Sequence, residues 1–139
     1  MEKSEVRVLL DLNILLDVFL KREPFYEDSL NVMNMCLSKK IKGVIAAHSI
    51  TNLWYVLRKT CSDEQRREIV LTLIDSFEIS SIDKDKIKAG ILRKDFKDFE
   101  DCLQDECAKS FNSDYIITRD KDDFVNSVVP VLLPTEFVA

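Results

Sequence analysis

The sequence is short of the residues that break a chain and of those that staple one. Only 2 glycines and 3 prolines occur in 139 residues, which leaves little room for long loops or a flexible linker. The 4 cysteines, Cys36, Cys61, Cys102 and Cys107, never form a C-x-x-C pair, so a structural zinc site is not expected. There is 1 histidine, His48, and no nucleophile–base pair is visible around it. No apolar run approaches the roughly 20 residues of a membrane span. The start, Met1-Glu2-Lys3-Ser4-Glu5, is charged and leads into a short apolar stretch, unlike a secretory signal. The thiols are therefore expected to be reduced and at least partly buried, and the compartment to be the cytoplasm. Positive charge is also lacking: the net charge is −5. That sign argues against a module that grips nucleic acid with a broad basic face. It argues less against an enzyme whose acids hold cations, because a bound ion is often the largest local charge in its site.

What is present is ordinary for a globular protein, with 46% apolar and 32% charged residues. Apolar strands and amphipathic helices alternate. Val6 to Leu10 is an apolar run broken only by Arg7, as in a strand buried on both faces. A helix follows from Asp11-Leu12-Asn13 to about Leu20, and after Pro24 another runs from Tyr26 to about Leu37. Lys39-Lys40-Ile41-Lys42-Gly43 reads as that helix's end, with cations in its last turn and Gly beyond. Gly43 to Ala47 is a short second strand, with Ser49 or Thr51 as cap of the next helix. Ser62-Asp63-Glu64-Gln65 opens a further helix, and Phe77 to Ser80 is a third strand. Helices follow from Asp83 toward Leu92 and from about Asp98 to Phe111. Tyr115 to Thr118 is a fourth strand. Val128 to Leu132, which contains Pro130, is a fifth, expected at an edge. Pro134 to Phe137 reads as a terminal turn. The alternation predicts one α/β domain over residues 1–139, a three-layer α/β/α sandwich with a mostly parallel central sheet of about five strands.

The chemistry lies in acids placed at strand ends and on one late helix. Asp11 closes the first strand, where it can cap the following helix or face the ligand crevice beyond the sheet. Asp98, Asp101 and Asp105 fall within roughly 60° of one another on a helix turning about 100° per residue. They border the face carrying Phe99, Cys102, Leu103 and Cys107. That stripe is either a solvated acidic face or a cation site, since like charges at this spacing repel. Asp120 follows the fourth strand, with Asp123 close behind. Thr118 can orient a carboxylate or a water, and Arg119 can hold a phosphate or pair with an acid. Oxygen ligands from both ends of the sequence would suit a hard divalent cation. Arg58, Lys59, Arg66, Arg67, Arg93 and Lys94 are candidate phosphate contacts, and Trp54 and Tyr55 either stack on a base or pack.

The ordered set also resembles a family. Leu9-Leu10-Asp11-Leu12-Asn13-Ile14-Leu15-Leu16-Asp17, Phe99-Glu100-Asp101-Cys102-Leu103-Gln104 and Ile116-Ile117-Thr118-Arg119-Asp120-Lys121-Asp122-Asp123-Phe124 resemble the three acidic motifs of PIN-domain proteins. The likeness spans nearly the whole chain, and its T-R-D…D-F ending is the most specific part. It implies a parallel α/β/α sandwich and ribonuclease activity dependent on one or two Mg²⁺ or Mn²⁺ ions. Asp11, Asp101 and Asp120 would be the metal-binding acids, with Asp105 as a further ligand and Asn13, Asn52, Asp98, Thr118, Arg119 and Asp123 in support. Many members of this size are VapC-like toxins, so RNA, a cognate antitoxin protein and a second copy of the chain are the implied partners. One departure stands out. Where the family usually has an acid in the helix after the second strand, this chain has Asn52, which can ligate through its carbonyl but brings no charge.

Other readings compete. A haloacid-dehalogenase-like phosphatase would want a second Asp at Asn13. A response-regulator receiver would want an acceptor Asp where the chain has Ala46-Ala47 or Ser80-Ser81. A catalytically weakened RNA-binding or protein-interaction module of the same fold, with Asn52 as the mark of a decayed site, is the serious alternative.

Overall fold

Residues 5–138 are described by the structure, a computed structural model. Met1, Glu2, Lys3 and Ser4, part of the charged start read from the sequence, lie outside them. The elements follow in the order β1 (Arg7–Leu10), α1 (Leu12–Phe19), α2 (Tyr26–Leu37), β2 (Lys42–Ala46), α3 (Ala47–Val56), α4 (Asp63–Ser76), β3 (Glu78–Ser80), α5 (Lys84–Leu92), α6 (Phe99–Ser110), β4 (Tyr115–Ile117), β5 (Val131–Leu132) and α7 (Pro134–Val138). Short 3₁₀ turns cover Leu57–Lys59 and Lys121–Phe124. Among the described residues no helix is long and apolar enough to cross a membrane.

The five strands form one sheet in the order β3-β2-β1-β4-β5, and every pairing is parallel. Each central strand feeds both faces. Val8, Leu10, Ile45 and Ile117 point into a core shared with α1, α2, α3 and α4. Leu9, Val44, Ala46 and Ile116 alternate with them into a second core beneath Cys107 and Ala108 of α6. This explains why the strands read as unbroken apolar runs. The chain fills β1, β2 and β3 outward on one side and then crosses back to lay β4 on the other side of β1. The order therefore reverses between β1 and β4, and the carboxyl ends of these two strands form the switch point at which such sheets bind ligands.

Several boundaries differ from the sequence reading. Phe77 is not in β3 but ends α4, and its ring lies over Gly43, where an added Cβ would stand 2.6 Å from it. Gly43 is therefore required by packing inside β2 and not by the end of α2. The left-handed residue after that helix is Lys39, with φ 64°. The helix after β2 starts at Ala47, and its N-cap is Ala46, which has no side-chain cap; Ser49 and Thr51 lie inside the helix. β5 shrinks to Val131–Leu132 and does lie at the sheet edge. The expected terminal turn is the helix α7.

Candidate active site

Asp11 directly follows β1 and continues its ladder, its N–H donating to the Ile117 carbonyl at 3.0 Å. Its side chain is only 8% exposed and serves two ends. Oδ1 accepts from the Leu12 N–H at 2.8 Å and so caps α1. Oδ2 accepts from Thr118 Oγ1, also at 2.8 Å, across the switch point. Capping and facing the crevice are thus one placement. Thr118 Oγ1 in turn accepts from the Asp120 N–H at 3.0 Å and from Asn13 Nδ2 at 3.2 Å. Asn13 Nδ2 also reaches Asp120 Oδ2 at 3.1 Å. A hydroxyl and an amide thereby tie the acid after β1 to the acid after β4.

The third acid comes from α6, whose N-terminus stands at the same edge of the sheet. Asp98 is its N-cap, accepting from the Glu100 N–H at 2.7 Å, and Glu100 and Asp101 occupy the first turn, where negative charge suits the helix dipole. Gln104, one turn on, donates to Ser49 Oγ at 2.7 Å and reaches Asp11 Oδ1 at 3.4 Å. It links α6 and α3 to the Asp11 carboxylate. Neither Gln104 nor Ser49 was singled out in this role from the sequence; the only signal was that Gln104 follows Asp101 by three residues.

Electrostatics bind the acids into one group. Burial pushes the Asp11 carboxyl up to about 6, against the pull of Thr118 and Leu12, with the charges of Asp120 and Asp123 adding to the rise. Burial likewise pushes Asp101 up to about 7, and Asp11, Asp98, Asp123 and Glu100 push it further. Asp11 thus feels the charges of Asp120 and Asp123, and Asp101 those of Asp11 and Asp123, and no described cation lies among the causes of either shift. His48, at the start of α3, faces the same helix end. Burial lowers its basicity, partly opposed by Glu100 and Asp98.

Two residues expected nearby are turned away. Asp105 is fully buried, and its carboxylate is taken up by Arg93 at 2.8 Å and by the N–H groups of Val128 (2.9 Å) and Val129 (3.1 Å). Arg119 pairs with the buried Asp17 at 2.7 Å and lies over the Phe25 ring. Asn52 sits half-buried on α3 and shares no hydrogen bond with the acids among the described residues. Of the other arginines proposed as phosphate contacts, Arg66 and Arg67 lie against Trp54 and Arg58 against Tyr55, with Arg58 and Arg67 exposed.

A set of carboxylate, amide and hydroxyl oxygens with uncompensated negative charge is the donor chemistry of a hard divalent cation. As they lie, however, no three described His, Cys, Asp or Glu side chains are grouped closely enough to hold an ion. The fit is one of chemistry and placement, and the acids would have to draw together around an ion.

The fold and the acid-lined switch point define a parallel α/β protein built to bring carboxylates from β1, α6 and β4 to one edge. The family model for the PIN domain matches residues 7–122, and the chain belongs to the PIN-domain family. It is 28% identical over 135 residues to Ribonuclease VapC1 of Aquifex aeolicus (strain VF5), covering 94% of this chain and 92% of that protein. Among solved structures, a toxin–antitoxin complex from Klebsiella pneumoniae matches with a TM-score of 0.71 and 22% identity, over 91% of this chain and 97% of that one. VapBC2 from Rickettsia felis, bound to a promoter DNA fragment, matches with a TM-score of 0.68 and 18% identity, over 92% and 98%. These two likenesses carry the fold.

Proposed function

We propose that this protein is a divalent-metal-dependent ribonuclease that hydrolyses phosphodiester bonds of RNA, acting as the toxin of a toxin–antitoxin pair in the cytoplasm. The observation that carries the reading is the Asp11–Thr118–Asp120–Asn13 network at the switch point, facing Asp101 across the crevice with the carboxyls of Asp11 and Asp101 raised. The relative from Aquifex aeolicus is named a ribonuclease, and the Rickettsia felis neighbour is a VapBC pair; both support an RNA substrate and an antitoxin partner. Asp11, Asp101 and Asp120 are the residues that would hold Mg²⁺ or Mn²⁺, with Asp123 beside them. When bound, the metal supplies a water of lowered pKa and positive charge at the phosphate. The chain's own residues do the positioning. Thr118 fixes the Asp11 carboxylate, Asn13 fixes Asp120, and Gln104 ties Asp11 to α3. Asp105 acts as a brace, holding the segment after Asp120 against α6 through Val128 and Val129.

The test is incubation of the purified protein with end-labelled single-stranded RNA and Mg²⁺ or Mn²⁺, beside Asp101→Asn and a chelator control. Cleavage that disappears in both controls is the expected result. RNA left intact across both metals and a panel of sequences would overturn the reading. It would favour a weakened RNA-binding or protein-interaction module, the alternative supported by Asn52 and by the open spacing of the acids.

A further inference from the structure

A cleft of about 360 Å³ opens between the start of α2, the Arg119 side chain and the turn from β5 into α7. Its size is within the range of small-ligand sites. Arg119 belongs both to this cleft and to the segment that carries Asp120. Its backbone lies between Thr118 and Asp120, while its guanidinium sits 3.9 Å from the centre of the Phe25 ring and is held by Asp17 at 2.7 Å. The side chain is thereby fixed as a flat cation at the cleft wall. Pro24, the 39%-exposed Phe25 and Leu133 make the other walls apolar, which suits a planar ring and not a phosphate. The polar groups at this surface include the Thr135 hydroxyl and the half-buried Asp28 carboxylate, which enters no ion pair among the described residues.

We propose that this cleft takes one unstacked guanine of the RNA strand whose neighbouring phosphate lies at Asp11, Asp101 and Asp120; the proposal rests on the ribonuclease reading above. Bases of single-stranded RNA are recognised by stacking on aromatic or guanidinium planes and by hydrogen bonds along their edges. A carboxylate offers only acceptors. Guanine alone presents two adjacent donors, N1–H and the N2 amino group, to two such oxygens. Adenine and cytosine set a single amino donor beside an acceptor, and uracil flanks its one donor with acceptors. Asp28 would therefore select guanine, while Arg119 couples the filled cleft to the strand end that carries Asp120.

Two arms test this and separate its failure from that of the nuclease reading. In the first, ¹⁵N-labelled Asp101→Asn protein is titrated with the four ribonucleoside 5′-monophosphates. GMP is expected to shift the amides of Phe25, Asp28 and Thr135 at roughly tenfold lower concentration than the others, the size of one bidentate base contact. Asp28→Asn should erase that advantage. Equal responses to all four nucleotides, or shifts confined to other surfaces, overturn the cleft assignment. So does filling of the cleft by a segment of a co-expressed partner protein when no nucleotide enters it. In the second arm the wild-type protein cuts a randomised single-stranded RNA pool and the ends are sequenced. Guanine enriched at one fixed position beside the cut, and levelled roughly tenfold by Asp28→Asn, supports the cleft. Cutting without that enrichment overturns the cleft and leaves the nuclease standing. Saturable GMP binding without any cutting overturns the nuclease reading alone.

Discussion

Asp101 and Asp11 hold their protons to about pH 7 and about pH 6 in the folded chain, against an ordinary 3.8. Between those limits the folded state binds more protons than the unfolded one, so the stability these groups contribute is greatest at low pH and is lost as the pH rises through 6 and 7. Asp101→Asn removes one such charge. Its melting temperature relative to wild type should therefore rise between pH 5 and pH 8 in metal-free buffer, measured by calorimetry. A difference that stays constant over that range would contradict the crowding of the acids. Thr118→Val tests the other side of the balance. The Thr118 hydroxyl is the main group holding the Asp11 carboxyl down, so its loss should move the Asp11 titration, followed by carboxyl NMR, to higher pH. It should also cost about 1–2 kcal/mol in stability, because the Asp120 N–H and the Asp11 carboxylate lose a partner. An unmoved Asp11 titration would remove Thr118 from the orienting role.

Helix α6 shows how far the sequence could be read and where it stopped. Asp101 and Asp105 lie one turn apart on nearly the same stripe, and from periodicity alone they are equivalent. Their fates diverge because α6 runs inward from the crevice edge, so that four residues carry the chain about 6 Å deeper. At that depth Asp105 meets Arg93 of the α5–α6 connection and two backbone donors from more than twenty residues further on. Only the tertiary structure reveals that neighbourhood. The central strands β1, β2 and β4 were legible because burial on both faces leaves them largely apolar. The start of α3 was not, since Ala46 caps it without a side chain. α7 carried a signal that the sequence reading passed over: Pro134 stands at its first position and Glu136 accepts from the Leu133 N–H at 2.8 Å, a pairing typical of helix starts. The brace itself is testable. Asp105→Ala leaves two N–H groups unpaired in the interior and Arg93 with Glu106 as its remaining acid, which should cost about 2–4 kcal/mol and lower the melting temperature by roughly 5 °C or more. A loss below about 1 kcal/mol would mean that the segment after Asp120 is held by other contacts.

For the molecule as a whole, the distribution of charge decides how it can meet a polyanion. The net charge is −5, and the arginines are largely committed within the fold. Arg7 lies on Phe111 and donates to its carbonyl, Arg58 and Arg66 on Tyr55 and Trp54. Arg67 pairs with Asp63, Arg93 with Asp105 and Glu106, and Arg119 with Asp17. Lys109 and Lys121 likewise face Glu106 and Glu136. The exposed cations left outside these pairs are mainly lysines, among them Lys39, Lys40, Lys84 and Lys88. None of these bears on the Asp11 or Asp101 carboxyls, so that at the crevice no described cation neutralises a phosphate and the acids repel it. Association with RNA must then depend on ions brought from solution to the acid site, and it should release few counterions from the strand. A protein that contacts Z phosphates of a single strand shows a salt slope of about −0.7Z. The expected slope of log affinity against log KCl, read by fluorescence anisotropy with a divalent ion present, is therefore shallow, of magnitude about 2 or less. Chelation of the divalent ion should remove the phosphate contacts at Asp11, Asp101 and Asp120 and leave only weak binding at every salt concentration. A slope of magnitude about 5 or more, or tight binding that survives chelation, would place the RNA on a lysine face remote from Asp11, Asp101 and Asp120. The acid crevice would then have to be reassigned from catalysis to some other cation-dependent role.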